Sequence, residues 1–230
     1  MSWIWSDIKS LAPLPQSIVQ PIPQLGGDAP SFRPIEEEAK EGATELVYPL
    51  KDGKKSVVVF VRHLGCPFCQ ETIQDIYPIA KENRDIRFFL VSQSDVSDVN
   101  RTNLLVQRLI SRSQKTEDVE VYLDNVPTTR LLSLDNITIV SSPPPHTLYS
   151  TWGISQLTFT SLFSPSGISS AIKLRKERGI KNTETHGSRW LSSGAFAVDQ
   201  AGKVVWTHVA RSADDVSDLK AAVASLKHDN

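Results

Sequence analysis

The stretch that decides the fold runs from Ser56 to Glu71 and reads SVVVFVRHLGCPFCQE. Its first part, up to Val61, is an apolar, β-branched run that is typical of a strand buried on both faces. After the cysteines the apolar residues recur once per helical turn, which predicts a helix from Gln70 to Glu82. Cys66 is therefore expected where a central strand gives way to the N-terminus of a helix.

Both cysteines of the chain lie in this stretch, as Cys66-Pro67-Phe68-Cys69. Backbone N–H groups at a helix N-terminus point toward an anion and favour a thiolate there. The i, i+3 spacing puts the two sulfurs on one face of a helical turn. A C-x-x-C pair at a strand-to-helix turn is typical of a thiol–disulfide redox site.

The two cysteines are predicted to have different roles. Thiol–disulfide exchange needs a thiolate that attacks and a second thiol that resolves the mixed disulfide. Cys66, at the tip of the helix, is expected to be accessible and to attack. Cys69 begins the apolar face of the helix, so we expect it to be protected and to resolve.

Three neighbouring residues are predicted to support the pair. Arg62 and His63 stand immediately before the turn, where either side chain could stabilise a thiolate. The alternative for each is a strand-end side chain that points to solvent. Pro67 suits the first helical position because it has no N–H to leave unpaired. His63 with the two cysteines would offer a zinc ion only three ligands, and the sequence has no second C-x-x-C, so no metal site is predicted.

The rest of the chain predicts an α/β protein whose sheet is parallel at first and is closed by an antiparallel hairpin. The further elements expected are strands at 86–91 and 119–123, a helix at 99–110, a helical or turn segment at 148–154, a helix at 164–176, a hairpin of strands 194–198 and 203–209, and a last helix from 212. Pro78 should kink the first helix or end its first part. The run Ser212-Ala213-Asp214-Asp215 resembles a capping box at the start of the last helix, which would place Val216 on the inner face of that helix.

The chain divides into an arm and one domain. Residues 1–34 are proline-rich and predict an irregular arm laid over a domain at 35–230, with an insertion or long loop around 124–146. The net charge of −1 gives no general attraction for nucleic acid. No stretch is apolar enough to span a bilayer and the first residues lack a secretory pattern, so a cytoplasmic location is expected. In that reducing compartment a lone cysteine pair is expected to be catalytic or metal-binding rather than structural.

Three segments carry a resemblance to a known family. They are the strand and cysteine turn at 58–71, the segment Leu148-Tyr149-Ser150-Thr151-Trp152-Gly153-Ile154, and the late hairpin at 193–209. With them the chain resembles the peroxiredoxin-like 2 family of AhpC/TSA-like antioxidant proteins, to which selenoprotein U is related. The resemblance implies a thioredoxin-like fold with a mixed central sheet flanked by helices and a peroxiredoxin-like elaboration. It also implies an alternative assignment, in which Cys69 reacts with the peroxide and Cys66 resolves the oxidised Cys69.

These observations predict a thiol-dependent oxidoreductase. Its redox-active centre would be the Cys66 and Cys69 pair, which would reduce a disulfide, a peroxide or a glutathione mixed disulfide. No bound cofactor is expected, since glutathione or a thioredoxin could supply the electrons. A homodimer is compatible with the sequence. The alternative is a non-redox protein that uses the same fold as a binding scaffold or in small-molecule biosynthesis, with the arm and the 124–146 excursion lining a pocket or a dimer contact.

Overall fold

The computed structural model describes residues 19–32, 46–93, 136–142, 144–182 and 188–227. The strands in these ranges are β1 (Lys55–Phe60), β2 (Ile86–Ser92), β3 (Ile137–Ser141), β4 (Gly194–Val198) and β5 (Val204–Val209). The helices are α1 (Pro67–Glu82), α2 (Thr147–Thr151), α3 (Phe159–Leu162), α4 (Pro165–Arg178) and α5 (Leu219–Lys227). The helix expected at 99–110 and the strand expected at 119–123 lie outside the described residues, as does the arm up to residue 18.

The strands form one mixed sheet in the order β3-β2-β1-β4-β5. β1 runs parallel to β2, with Val58 opposite Phe89, and β2 runs parallel to β3. On its other side β1 is antiparallel to β4, with Val58 opposite Phe196, and β4 forms a hairpin with β5. The predicted arrangement, parallel first and then closed by an antiparallel hairpin, is confirmed.

Strand β1 is the centre of the molecule and is buried on both faces, as its apolar run predicts. Because side chains alternate along a strand, Val57 and Val59 face a core shared with α1 and α5. Val58 and Phe60 face a second core on the opposite side of the sheet. The carboxyl end of β1 is thereby fixed between two packed layers, directly before the cysteine turn.

Helix α1 continues through Pro78 to Glu82, so the expected end of its first part is not seen. Pro78 is exposed, on the side of the helix where a lost backbone hydrogen bond can be replaced by water. The next two residues, Ile79 and Ala80, are buried in the core and hold the last turn in place. Tertiary packing therefore outweighs the local preference of proline.

Strand β3 lies inside the stretch that was expected to be an insertion or long loop around 124–146. The residue before it, Asn136, is 2% exposed. The two hydrogens of its side-chain amide are shared among the carbonyls of Ala80, Asn83 and Ile86, each 3.0 Å from Nδ2. This amide ties the start of β3 to the turn between α1 and β2, a long-range contact that the local sequence does not reveal.

Helix α5 begins at Leu219, seven residues later than expected from the capping pattern at 212–215. The N-cap is Asp218, whose carboxylate accepts hydrogen bonds of 3.0 Å from the backbone N–H groups of Lys220 and Ala221. Val216 precedes the helix and is 36% exposed, so its placement on an inner helix face was wrong.

The described part of the arm lies over the domain. The backbone N–H of Gln20 donates to the carbonyl of Ser150 at 2.9 Å, next to the end of α2. Further along, the N–H groups of Gly26 and Ala29 donate to the carbonyls of Val204 and Gly202 at 2.8 Å, along the outer edge of β5. None of the helices in the described ranges has the length and apolar character needed to cross a membrane.

Candidate active site

Cys66 is the N-cap of α1 and is the last extended residue before the helix, with φ −72° and ψ 127°. Pro67 starts the helix, as predicted, because its missing N–H costs nothing there. The Cys66 carbonyl accepts the first helical hydrogen bond, from the N–H of Gln70 at 2.9 Å. Cys69 follows one turn later, and both cysteines are reduced. Their thiols lie close enough to hydrogen bond to each other.

Arg62 reaches both sulfurs from the end of β1. Its Nη2 donates to Cys66 Sγ at 2.9 Å, and its backbone N–H donates to Cys69 Sγ at 3.2 Å. The side chain is buried, so the alternative of a solvent-pointing Arg62 is wrong. Among the described residues, no carboxylate pairs with this guanidinium, and its Nη1 is buried without a hydrogen-bond partner. The guanidinium charge is therefore placed to be balanced by a Cys66 thiolate.

The two thiols differ in acidity. Burial tends to raise the pKa of Cys66, but the hydrogen bond from Cys69 and the charge of Arg62 outweigh it and lower that pKa to about 5. The pKa of Cys69 is raised well above its ordinary value by the same hydrogen bond to Cys66 and by burial. At neutral pH the pair therefore consists of a Cys66 thiolate and a protonated Cys69.

His63 is 3% exposed, so it does not point to solvent either. Its backbone N–H hydrogen bonds to Cys69 and opposes part of the rise in the pKa of that thiol. In the described ranges, no group of three or more His, Cys, Asp or Glu side chains is arranged to bind a metal ion. His63 and the two cysteines therefore do not form such a group.

The expected accessibility of Cys66 is wrong, since its residue surface is only 1% exposed and that of Cys69 is 3% exposed. A segment distant in sequence is bonded to the same turn. The buried side-chain amide of Gln70 donates to the carbonyl of Gly65 at 3.2 Å and to that of Lys181 at 3.0 Å. These bonds hold the chain just after α4 against the first turn of α1.

A small cavity lies beside Cys69. It measures about 10 Å³ and is lined by Phe60, Thr72, Gly194 and Ser217, among others. That volume accommodates roughly one water-sized molecule. This cavity can therefore receive a very small reactant beside Cys69 but not a bulky one.

Two further side chains hold the strand ends that carry the site, and neither was predicted from the sequence. The buried amide of Gln93 donates to the Arg62 carbonyl and to the Ser188 carbonyl, the latter at 2.9 Å, and accepts from the Ser188 N–H at 2.7 Å. The single hydroxyl hydrogen of Tyr149 is directed at the Val61 carbonyl at 2.6 Å and is shared with the Val91 carbonyl at 3.2 Å. Gln93 directly follows β2, the parallel neighbour of β1, and this placement at the carboxyl end of a strand is the signal that could have found it.

Comparison with known proteins supports the fold. No protein-family profile matches the chain, and no curated protein matches it. Among solved structures it is similar to a peroxiredoxin-like protein from Aquifex aeolicus, with a TM-score of 0.51 at 14% sequence identity, covering 91% of this chain and 89% of that one. It is also similar to the peroxidoxin BcpB from Mycobacterium tuberculosis, with a TM-score of 0.48 at 14% identity, covering 90% of this chain and 99% of that one. Together with the sheet order, the first of these shows that the chain has a thioredoxin-like fold with a peroxiredoxin-like elaboration.

Proposed function

We propose that the chain is a thiol-dependent oxidoreductase in which Cys66 attacks the oxidant and Cys69 resolves. The observation that carries this proposal is the contact of 2.9 Å between Arg62 Nη2 and Cys66 Sγ in a buried site where, among the described residues, no carboxylate competes for the guanidinium. A thiolate is the nucleophile in this chemistry, and a neighbouring cation together with a helix N-terminus is the environment that stabilises it.

Of a peroxide, a protein disulfide and a glutathione mixed disulfide, the peroxide is the substrate class that the site favours. Both sulfurs are almost fully buried, and the cavity beside Cys69 measures only about 10 Å³. A protein disulfide or a glutathione mixed disulfide would need the buried cysteine turn to open before its sulfur could line up with Cys66. A peroxide is close to water in size and needs no such opening.

The proposed reaction is balanced without a bound cofactor. The Cys66 thiolate attacks one peroxide oxygen, so an S–O bond forms, the O–O bond breaks, and the leaving oxygen takes a proton from solvent and departs as water or alcohol. The Cys66 sulfenic acid is then attacked by the Cys69 sulfur, which loses its proton, and water leaves as the disulfide forms. A thiol reductant, glutathione or a thioredoxin, returns two electrons and two protons through a mixed disulfide. This is the type of antioxidant activity that the resemblance to the peroxiredoxin-like 2 family implies.

Mapping the oxidation product tests the assignment. The reduced full-length protein is treated with hydrogen peroxide and examined by peptide mass spectrometry, with Cys66→Ala and Cys69→Ala as matched variants. We expect an intramolecular disulfide in the original chain and a Cys66 sulfenic acid, trapped by dimedone, in Cys69→Ala. Cys66→Ala should stay reduced. Oxidation of Cys69 in Cys66→Ala at the original rate would contradict the assignment and favour the reverse one.

The alternative of a non-redox scaffold receives no support from a specific observation. The features offered for it, the arm at 1–34 and the excursion at 124–146, fall largely outside the described residues. Within the described residues the arm pairs with the start of β5, and the excursion contributes the strand β3.

A further inference from the structure

A serine, a histidine and an aspartate meet on the hairpin side of the molecule, and the serine also lines the small cavity beside Cys69. His208 lies on β5, and Asp215 and Ser217 lie in the loop that leads from β5 to α5. Asp215 Oδ1 lies 2.8 Å from His208 Nε2, and Ser217 Oγ lies 3.0 Å from His208 Nδ1. The imidazole therefore joins a hydroxyl on one side to a carboxylate on the other.

The hydrogen bonds fix which ring nitrogen carries the proton. A carboxylate can only accept, so Nε2 of His208 donates to Asp215. In the neutral ring, Nδ1 is then the acceptor and takes the hydroxyl hydrogen bond from Ser217. Asp215 is itself held in place, because its Oδ2 accepts the backbone N–H of Arg211 at 2.8 Å. The result is a nucleophile, a base and a group that orients the base.

Ser217 is also one of the residues that line a cavity of suitable size. It measures about 400 Å³, lies between α1 and the start of α5, and is lined in part by Pro78, Ile79 and Leu219. Its volume falls in the range of small-molecule sites, roughly 300–1,000 Å³. Its charged lining consists of the carboxylates of Asp75, Glu82 and Asp218 against the single amine of Lys220. The excess of negative charge disfavours an anionic ligand. The class of ligand that fits is therefore a neutral, partly apolar acyl compound.

We propose that Ser217, His208 and Asp215 form a second catalytic site, which hydrolyses small uncharged acyl esters. Ser217 Oγ attacks the ester carbonyl while His208 Nδ1 takes the hydroxyl proton. The C–O bond to the alcohol then breaks, and the alcohol leaves with that proton. Water attacks the acyl-serine, again with His208 as the base, and releases the carboxylic acid and the serine. No electrons are transferred, so this activity is independent of the state of the thiols.

Covalent labelling tests the nucleophile. A fluorophosphonate forms an O–P bond with an activated serine as fluoride leaves, and it is applied here to the full-length protein followed by peptide mapping. We expect labelling at Ser217, its complete loss in Ser217→Ala, and loss of about a hundredfold or more in its rate in His208→Gln. The control Ser212→Ala removes a hydroxyl from the same loop, one that bonds Asp214 at 2.8 Å, and should be labelled like the original protein.

Ester turnover tests catalysis separately from the thiols. Hydrolysis of p-nitrophenyl acetate is measured in the Cys66→Ala/Cys69→Ala background, because a thiolate also cleaves this ester. Asp215 acts through His208 as a positioning residue, so Asp215→Asn should lower kcat and leave KM unchanged.

Unfolding curves of each variant separate catalysis from a structural role. If Ser217 is not labelled in the folded original protein, or if Ser217→Ala retains full turnover, the proposal is overturned. The three side chains then serve only to fasten the loop before α5.

Discussion

Arg62 is a buried guanidinium whose anionic partner, within the described residues, is a thiolate rather than a carboxylate. Burying a charge is costly unless a partner and hydrogen bonds compensate for it. The Cys66 thiolate supplies that compensation only while it is ionised. The fold therefore stabilises the reactive form of Cys66, and the same contact links the stability of the protein to the protonation of one sulfur.

Replacing Arg62 should raise the pKa of Cys66. In Arg62→Gln the cation that lowers this pKa is gone, while burial, which raises it, remains. We expect the midpoint of the thiolate ultraviolet absorbance to move from about pH 5 toward the ordinary range of cysteine, near pH 8.5. Arg87→Gln is the control, because Arg87 forms an exposed ion pair with Asp52 at 2.7 Å. An unchanged midpoint in Arg62→Gln would show that Arg62 does not stabilise the thiolate.

The Cys66 thiolate should stabilise the folded protein less as the pH falls. Its pKa is lowered in the folded state, so between about pH 5 and the ordinary value near 8.5 the unfolded chain binds more protons. The stabilisation is therefore complete above that window and is lost as the pH falls through about 5. The measurement is the difference in free energy of unfolding between the reduced original protein and Cys66→Ala, taken by denaturant titration across this range. A difference that grows as the pH falls would have the wrong sign.

At the scale of the elements, the sequence predicted the strand, turn and helix at 56–82 because hydrophobic pattern and local chemistry agree there. The start of α5 was missed because the residues of the capping pattern make other bonds, and the Ser212 hydroxyl donates to the Asp214 carboxylate. Asp215 fits the capping pattern, yet its carboxylate bonds His208 and the N–H of Arg211 instead. The burial of Cys66 was missed because burial depends on tertiary packing, and the cysteine turn lies beside contacts such as that of Gln70 with the carbonyl of Lys181, which is far away in sequence. Long-range hydrogen bonds of this kind leave no local pattern.

The cap of α5 can be tested directly. Asp218→Ala removes the acceptor for two backbone N–H groups and should lower the free energy of unfolding by about 1 kcal/mol. Ser212→Ala, at the position that the sequence pattern favoured, should cost clearly less, because α5 does not begin there. Denaturant unfolding of both variants decides between them. Equal losses, or the larger loss in Ser212→Ala, would contradict the observed helix start.

At the scale of the whole molecule, one core lies on each face of the central sheet, and the arm pairs with the start of the outer hairpin strand. The class of fold and the sheet arrangement follow from the order of elements in the sequence. The path of the arm does not follow from the sequence, because it depends on close packing such as that of Ile22 against Gly153. A single glycine is a weak sequence signal for such packing. Gly153 has φ +73°, and a Cβ there would lie 2.7 Å from the Ile22 Cα.

Gly153→Ala should therefore loosen the arm. Gly26→Ala is the matched control, since Gly26 has φ +78° but no atom within 4 Å of the added Cβ. The control should cost about 1–2 kcal/mol for the left-handed backbone alone. Gly153→Ala should cost more and should make residues 19–32 cleavable by limited proteolysis, which mass spectrometry would detect. Equal stability losses with an uncleaved arm would show that this contact does not hold the arm.

The decisive measurement is the rate at which the reduced protein reacts with hydrogen peroxide as a function of pH. It tests whether Cys66 is the attacking thiolate. If Cys66 is the thiolate that attacks, the rate should be half-maximal near pH 5 and flat through neutral pH, because the nucleophile is already ionised. Cys69→Ala should still react once, since Cys66 remains, while Cys66→Ala should not. A rate that rises only near pH 8.5, as for an ordinary cysteine, would contradict the account.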